Sequence, residues 1–240
     1  MACILSFYYF VNRTRDQGEI MNKADLHIHS IYSDDAISKP ETIMQIAADH
    51  GIRFLAITDD HPELSRPAFL SLSHHYDIHI IYGQEIKLVN GKYIDGEVLG
   101  LFLKHPIQSK RLPNILAEIQ QQDAILSLAH PFCERRGEFR AYDQIDDWSR
   151  IAIEVQNGRT SKKRDNEMAA GLAERLQLPI TAGSDAHSPF EIGSVYLEFD
   201  GSTVDDLRNA IQNRDLEVKG KSSNTFFTFL SAIGRLGLSL

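Results

Sequence analysis

The stretch Asp25-Leu26-His27-Ile28-His29 alternates polar and apolar residues, as a β-strand with one polar and one apolar face does. On such a strand the aspartate and both histidines share one face, while the leucine and the isoleucine pack behind them. The two imidazoles stand about 7 Å apart, from about 3.3 Å of rise per residue, so they can converge on one cation. Together with the Ser33-Asp34 loop that follows, the stretch favours a metal site over a pair of core histidines.

Short apolar runs of β type alternate with helical patterns along the rest of the chain, which predicts parallel strands joined by helical crossovers. The predicted strands are Lys23–His29, Arg53–Thr58, Ile78–Ile86, Val98–Leu103, Ala124–Ala129, Ile151–Val155, Pro179–Ala182 and Val195–Phe199.

Four helices are predicted between these strands. Leu112–Gln122 and Ser161–Leu176 repeat apolar positions at helical spacing. Ser38-Lys39-Pro40-Glu41 opens a helix with the serine as its cap, and Gly51 ends that helix. Thr203-Val204-Asp205-Asp206 opens another, with a hydroxyl cap and acids in the first turn.

Side chains that can bind a cation stand at the ends of six predicted strands, and the fourth strand carries one at its entrance. They are His27 and His29, Asp59 and His61, Glu85, His130, Glu154, Asp185 with His187, and Glu97 in the fourth strand. In a barrel of parallel strands, the C-terminal strand ends converge on one face, where active sites are built. The sequence therefore predicts an α/β barrel with a metal site at that face.

Each motif alone also has a plain structural interpretation. Gly183-Ser184-Asp185 consists of residues that favour turns, and a single histidine such as His130 is often a satisfied core residue. Their joint occurrence favours metal ligands. Carboxylates suit Mn²⁺, and imidazoles suit Zn²⁺ or Fe, so the mixed set leaves the metal open. The remaining histidines are expected outside the site: His50, His74, His75, His79 and His105.

Arginines follow two of the ligand-bearing strands. Arg135, Arg136 and Arg140 come after the strand of His130, and Arg159 follows Glu154. A guanidinium can hold a phosphate by forked hydrogen bonds, but a run of arginines can equally be a solvated charged surface. Arg135 and Arg159 are the predicted substrate-binding residues.

The composition fits one α/β domain of a soluble protein, with 240 residues, 42% hydrophobic residues and 24% charged residues. A net charge of −8 argues against stable binding of a nucleic-acid polymer. With Cys3 and Cys133 alone, neither a disulfide framework nor a thiolate zinc site is expected, and a cytoplasmic location is the default. The apolar start is too short to span a membrane, so residues 1–20 are predicted as an extension, 21–220 as the domain and 221–240 as a tail.

The sequence resembles the PHP family, named for its presence in DNA polymerases and histidinol phosphatases. The resemblance runs in family order from about residue 23 to 190. It is carried by Asp25-Leu26-His27-Ile28-His29-Ser30, Ser33-Asp34, Ile57-Thr58-Asp59, Gly83-Gln84-Glu85, His130-Pro131, Glu154 with Asn157, and Gly183-Ser184-Asp185-Ala186-His187.

The resemblance implies a distorted (β/α)7 barrel, two or three divalent ions (Mn, Zn or Fe) and phosphoesterase activity. The residues predicted to bind metal are His27, His29, Asp34, Asp59, His61, Glu85, Glu97, His130, Asp185 and His187. The chain departs from the family pattern at Asp60, where the family usually has histidine directly after Thr-Asp, and at Glu97, where some members have histidine and another branch has glutamate. Either His61 or Asp60 could serve that second-strand position, as a ligand or as the acid that protonates the leaving group.

The predicted reaction is attack of a metal-bound hydroxide on phosphorus in a small phosphomonoester or phosphodiester, such as a nucleotide derivative. No membrane partner is expected. Two alternatives stay open: a hydrolase of C–N bonds on the same metal centre, and a non-catalytic regulatory module that binds metal.

Overall fold

The computed structural model describes residues 21–136 and 138–222, and it contains nine strands and five α-helices in that part of the chain. In chain order they are β1 (Met21–Ile28), α1 (Pro40–Asp49), β2 (Ile52–Ile57), α2 (Pro62–Tyr76), β3 (His79–Asn90), β4 (Tyr93–Leu101), α3 (Leu112–Gln122), β5 (Ile125–Leu128), β6 (Ile151–Asn157), α4 (Lys163–Leu176), β7 (Ile180–Gly183), β8 (Val195–Asp200), α5 (Val204–Asn213) and β9 (Leu216–Gly220). The predicted extension 1–20 and residues 223–240 of the predicted tail lie outside the described residues. Across the described ranges, every helix is too short or too polar to cross a membrane.

The strands form one sheet in the order β7-β6-β5-β4-β3-β2-β1-β8-β9. The sheet curls until the end of β1 meets the residues after β7, where Ile28 pairs with Ala186 and the Asp185 N–H donates to the His27 carbonyl at 2.7 Å. Strands β1 to β7 thus make a nearly closed barrel. This is the distorted (β/α)7 barrel that the sequence predicts.

The predicted parallel arrangement is wrong for β4 and β8, and the sequence did not predict β9. Strand β4 pairs antiparallel with both β3 and β5, and β8 pairs antiparallel with β1 and with β9. The turn at Gly91, with φ of +62°, makes β3 and β4 a hairpin instead of a helical crossover. Because β4 runs in reverse, its entrance lies at the same end of the barrel as the exits of its neighbours. Glu97 therefore joins residues that follow the other strands.

Helix α3 has the predicted bounds, whereas α4 begins at Lys163, two residues after the predicted start at Ser161. Helices α1 and α2 differ further from the prediction. Helix α1 begins at Pro40 with Lys39 at its cap, and Ser38 makes no capping hydrogen bond, so the predicted serine cap is wrong. Helix α2 was not predicted. Only Ser65 and Phe69 are buried along it, so its sequence shows little apolar periodicity. Helix α5 has the expected capping box at Thr203.

Two apolar clusters cover the first strand. Leu26 belongs to the larger cluster, which includes Phe54 and Phe199 packed edge to face. Ile28 belongs to a smaller cluster with Met44 of α1 and Phe69 of α2. Ala24, Leu26 and Ile28 of β1 are fully buried, so its position in the barrel is fixed by packing. The histidines that alternate with them are held in place as a consequence.

Candidate metal centre

Six residues from five strands or strand ends form two groups of three. The nitrogen and oxygen atoms of each group that could bind an ion lie within 4.8 Å of one another, and all six residues are buried. One group is His27, His29 and Asp185, and the other is Glu85, Glu97 and His130.

Glu85 links the two groups. Its Oε1 lies 3.3 Å from His27 Nε2 and 3.1 Å from His130 Nε2, while its Oε2 lies 3.3 Å from His29 Nε2. On the far side of His130, Glu97 Oε2 lies 3.4 Å from the same Nε2. A carboxylate in this position can bridge two neighbouring cations.

The hydrogen bonds of the first two histidines show which of their ring nitrogens is free to bind an ion. His27 Nδ1 lies 2.8 Å from Glu154 Oε1, an atom that can only accept, so this nitrogen carries the hydrogen. His29 Nδ1 contacts the Ser33 hydroxyl at 3.0 Å. The two Nε2 atoms then face each other at 3.1 Å.

The same space is lined by more acceptor atoms. Asp185 Oδ1 lies 3.6 and 3.7 Å from the Nε2 atoms of His27 and His29, and neither it nor Glu97 Oε2 has a hydrogen-bond partner among the described residues. Buried acceptors that converge without a donor are costly unless a cation lies between them. Imidazole nitrogens and carboxylate oxygens are ligands of Mn, Zn and Fe, so these residues fit the implied ions.

Glu154 and Asn157 hold the groups together from beneath. Glu154 Oε2 accepts from the His130 N–H at 2.7 Å and from Asn157 Nδ2 at 3.1 Å. The same amide also donates to Asp185 Oδ2 at 3.0 Å. Glu154 is part of the strand-end pattern in the sequence but is not one of the predicted ligands. In the structure it belongs to neither ligand group and instead contacts His27 and His130.

The sharp approach of β7 to β1 depends on a glycine. A Cβ on Gly183 would lie 2.5 Å from the Cβ and backbone nitrogen of His27, so no larger residue fits without moving one of the strands. The glycine of the Gly183-Ser184-Asp185 motif is therefore required by packing, two residues before the aspartate that supplies the carboxylate.

The charges of the centre shift the pKa values of its members strongly. Burial lowers the pKa of His27, but the nearby carboxylates of Asp185, Glu154 and Glu85 raise it well above its ordinary value. Burial together with the charge of Glu85 raises the pKa of Glu97 to about 7. With this many carboxylates buried together, positive charge is needed to keep them ionised.

One such charge comes from Arg136 in the short turn Glu134–Arg136 after β5. Its guanidinium, 19% exposed, donates to Asp185 and lies 3.7 Å from Glu85 Oε2. Although burial raises the pKa of Asp185, Arg136 holds that pKa far below its ordinary value. The predicted residue Arg135 is exposed instead, and sequence alone did not distinguish these two neighbours.

Arg159 lies beside the loop that carries His187. Its Nε is 3.4 Å from Glu191 Oε1, and its side chain is almost fully buried. The other oxygen of Glu191 accepts from the backbone of His187 and Ser188 at 3.0 and 2.9 Å. In this structure Arg159 thus neutralises the carboxylate that fixes the His187 loop.

The predicted ligand His187 is buried close to the first group, with its ring 4.4 Å from that of His29. Its Nε2 contacts Asp35 Oδ1 at 3.1 Å, whereas the predicted ligand Asp34 is exposed. The Ser33-Asp34 pattern locates the loop, but the backbone of the turn decides which of the two adjacent carboxylates faces inward.

The residues after β2 are not brought into either group. His61 is 54% exposed, and its Nδ1 lies 3.6 Å from Glu63 at the start of α2. Asp60 is half-buried and donates its N–H to Ser33 Oγ at 3.1 Å. Asp59 is buried but is engaged in hydrogen bonds to Ser30.

Comparison with known proteins places this geometry in a family. The sequence pattern of the PHP domain matches residues 25–161, and that of a PHP-associated region matches residues 163–216. An uncharacterized protein of Methanocaldococcus jannaschii is 28% identical over 183 residues, which cover 74% of this chain and 70% of the relative. A protein of Syntrophotalea carbinolica named probable phosphatase is 26% identical over 228 residues, covering 81% of this chain and 93% of the relative.

A solved structure shares the fold. It is a two-domain protein of Bacteroides vulgatus described as containing a predicted PHP-like metal-dependent phosphoesterase, with a TM-score of 0.69 and 19% identity. The match covers 85% of this chain and 66% of that protein, so this chain spans about two thirds of its length. The PHP pattern extends over more than half of the present sequence and over five of the six residues of the two ligand groups, while Asp185 lies in the PHP-associated region. The chain belongs to the PHP domain family.

Proposed function

We propose that the protein is a metal-dependent phosphoesterase that hydrolyses a small phosphomonoester or phosphodiester. The observation that carries the proposal is the convergence of buried acceptor atoms around Glu85, next to the largely buried guanidinium of Arg136. Membership of the PHP family and the name of the Syntrophotalea carbinolica relative support the same reaction class.

We propose two divalent ions, one for each ligand group. His27, His29 and Asp185 would hold one, Glu97 and His130 the other, and Glu85 both. Ions bound there would lower the pKa of a coordinated water and neutralise negative charge on the ester. Mn²⁺, Zn²⁺ and Fe²⁺ all suit this donor set.

The chain's own residues have three tasks in this reaction. Glu154 orients the His27 ring by accepting from its Nδ1. Asn157 fixes Asp185 through its amide, which leaves the other carboxylate oxygen directed at the histidines. The guanidinium of Arg136 lies at the edge of both groups, where it can donate to a non-bridging phosphate oxygen.

Arg136 replaces Arg135 in the proposal for phosphate binding because it is the one that reaches the centre. Substrate would have to draw the guanidinium away from Asp185, which is feasible once an ion neutralises that carboxylate. Arg159 contributes through the His187 loop and lies near enough to add positive charge to Asp185 and His187.

A panel of generic substrates tests the reaction class. The full chain, loaded with Mn²⁺ or Zn²⁺, is assayed on alkyl and aryl phosphomonoesters, phosphodiesters and simple amides. We expect phosphate release that is lost on chelation and restored by metal. Amide cleavage without phosphate release would support the C–N hydrolase alternative, and metal binding without turnover of any class would support a regulatory module.

A matched pair of variants links the activity to the site. Asp185→Asn changes little volume but removes a charge from the first ligand group, so it should lower the rate by several orders of magnitude. Asp146→Asn makes the same change at an exposed position and should leave the rate unchanged. Equal activity of both variants would refute the proposed centre.

A further inference from the structure

Asp59 is a fully buried carboxylate that belongs to neither ligand group. Its Oδ1 accepts from the Ser30 N–H at 2.6 Å and from Ser33 Oγ at 2.8 Å, and its Oδ2 accepts from Ser30 Oγ at 2.6 Å. All of these donors come from the loop directly after β1. Asp59 therefore binds the segment that follows His29 and does not point its oxygens at the converging acceptors.

The single hydroxyl hydrogen of Ser33 determines how this loop is hydrogen-bonded to His29. A hydroxyl has one hydrogen to donate and lone pairs that accept. Ser33 Oγ donates that hydrogen to Asp59, because a carboxylate can only accept, and it accepts from the Asp60 N–H at 3.1 Å. Its remaining contact, to His29 Nδ1 at 3.0 Å, must then be one in which the ring nitrogen donates.

We propose that Asp59 is a positioning residue that acts through Ser33 to keep the hydrogen of His29 on Nδ1. The Nε2 of His29 then presents a lone pair toward Glu85 and Asp185. The proposal rests on the metal centre of the proposed function and not on hydrolysis of phosphate esters. It reassigns Asp59, which the sequence predicts as a ligand.

His27 and His29 are thus oriented by different contacts. Glu154 contacts the His27 ring directly, whereas Asp59 reaches the His29 ring through a hydroxyl. Residues that fix the unbound nitrogen of a ligand histidine typically change metal affinity by about 10–100-fold when replaced. The same range is expected for the Asp59–Ser33 pair.

The tautomer itself is measured by nitrogen-15 NMR of the full chain labelled at its histidines, metal-free and at alkaline pH. We expect His29 in the wild type to carry its hydrogen on Nδ1. Ser33→Ala should give a mixture of tautomers, and Ser33→Thr, which keeps the hydroxyl, should restore the wild-type signal. A wild-type His29 with its hydrogen on Nε2 would overturn the proposal while leaving the phosphoesterase assignment intact.

Ser30→Ala is the matched control, because it removes the side-chain hydrogen bond from Ser30 Oγ to Asp59 Oδ2 without touching the His29 ring. A role limited to holding the loop would give Ser30→Ala and Ser33→Ala the same effect on the His29 signal. We expect the signal to change in Ser33→Ala alone, and equal changes in both variants would refute the positioning role.

Titration with Mn²⁺ by calorimetry separates positioning from ligation. Asp59→Asn lets the Ser33 hydroxyl donate elsewhere, so the affinity should fall about 10–100-fold while the number of bound ions stays that of the wild type. If Asp59 were itself a ligand, the variant would lose an ion. Loss of an ion, or unchanged affinity, would contradict the proposal.

Discussion

Replacing Glu154 by glutamine tests the hydrogen-bond geometry beneath the centre. One carboxylate oxygen accepts from His27 Nδ1 at 2.8 Å, and the other accepts from the His130 N–H at 2.7 Å and from Asn157 Nδ2 at 3.1 Å. Every partner of Glu154 named here is thus a donor. Glutamine has nearly the same shape but offers a carbonyl on one side and an amino group on the other.

Neither orientation of the glutamine satisfies the site. With its amino group toward His27, the ring must move its hydrogen to Nε2, where a metal ion would otherwise bind. With its amino group toward His130, the N–H donors of that group face the His130 N–H and the Asn157 amide, which are donors as well. In the less costly of the two orientations, one hydrogen bond to a charged group is lost. Such a bond is worth about 1.5–3 kcal/mol, which corresponds to about a 10- to 100-fold loss of metal affinity.

The assay is calorimetric titration of Glu154→Gln with Mn²⁺, accompanied by thermal unfolding of the metal-free protein to check that the variant folds. Glu134→Gln is the control, because this glutamate is 72% exposed and pairs with Lys162 away from the centre. Wild-type affinity in Glu154→Gln would show that the assigned His27 tautomer is wrong.

Four further outcomes are expected. Elemental analysis of protein purified without chelator should find about two equivalents of Mn, Zn or Fe, and less than one after metal loading would contradict the centre. His61→Ala should leave metal content and rate near wild type, whereas Asp60→Asn, if Asp60 protonates the leaving group, should slow alkyl ester hydrolysis by about 10²–10⁴-fold and spare aryl phosphates. Gly183→Ala should lower the free energy of unfolding by about 1–3 kcal/mol in denaturant titration, because its Cβ would meet His27. Arg136→Gln should raise KM for phosphate esters more than it lowers kcat, and an unchanged KM would remove the arginine from phosphate binding.

Most of the barrel could be predicted because its strands are buried and carry an unambiguous apolar pattern. Strand β1 is the clearest case, since alternation places Leu26 and Ile28 in the core and the histidines between them. The reversal of β4 could not be predicted. A buried strand has the same apolar pattern in either direction, and direction is decided by the length and geometry of the connection. The hairpin turn at Gly91 is visible in the sequence only as one glycine among many.

For the candidate site, the agreement between sequence and structure differs between residues in strands and residues in loops. Several predicted residues within strands lie together in the structure, because period two fixes the face on which Glu85 or His27 lies. In the connecting loops, the residue that faces the centre is one position after the predicted one: Asp35 faces inward instead of Asp34, and Arg136 instead of Arg135. In a loop each residue has its own backbone angles, so sequence spacing does not determine which of two neighbours turns toward the centre.

The backbone at two candidate ligands explains why local rules fail there. His130 and Asp185 have φ of +29° and +54°, in the left-handed region that residues other than glycine seldom adopt. Such conformations cost about 1–3 kcal/mol each and persist only where the surroundings enforce them. Here the N–H of His130 donates to Glu154, and that of Asp185 donates to the His27 carbonyl. The same hydrogen bonds that hold the strained backbone also aim both side chains at the centre. Glycine at either position would relieve the strain but remove a candidate metal ligand.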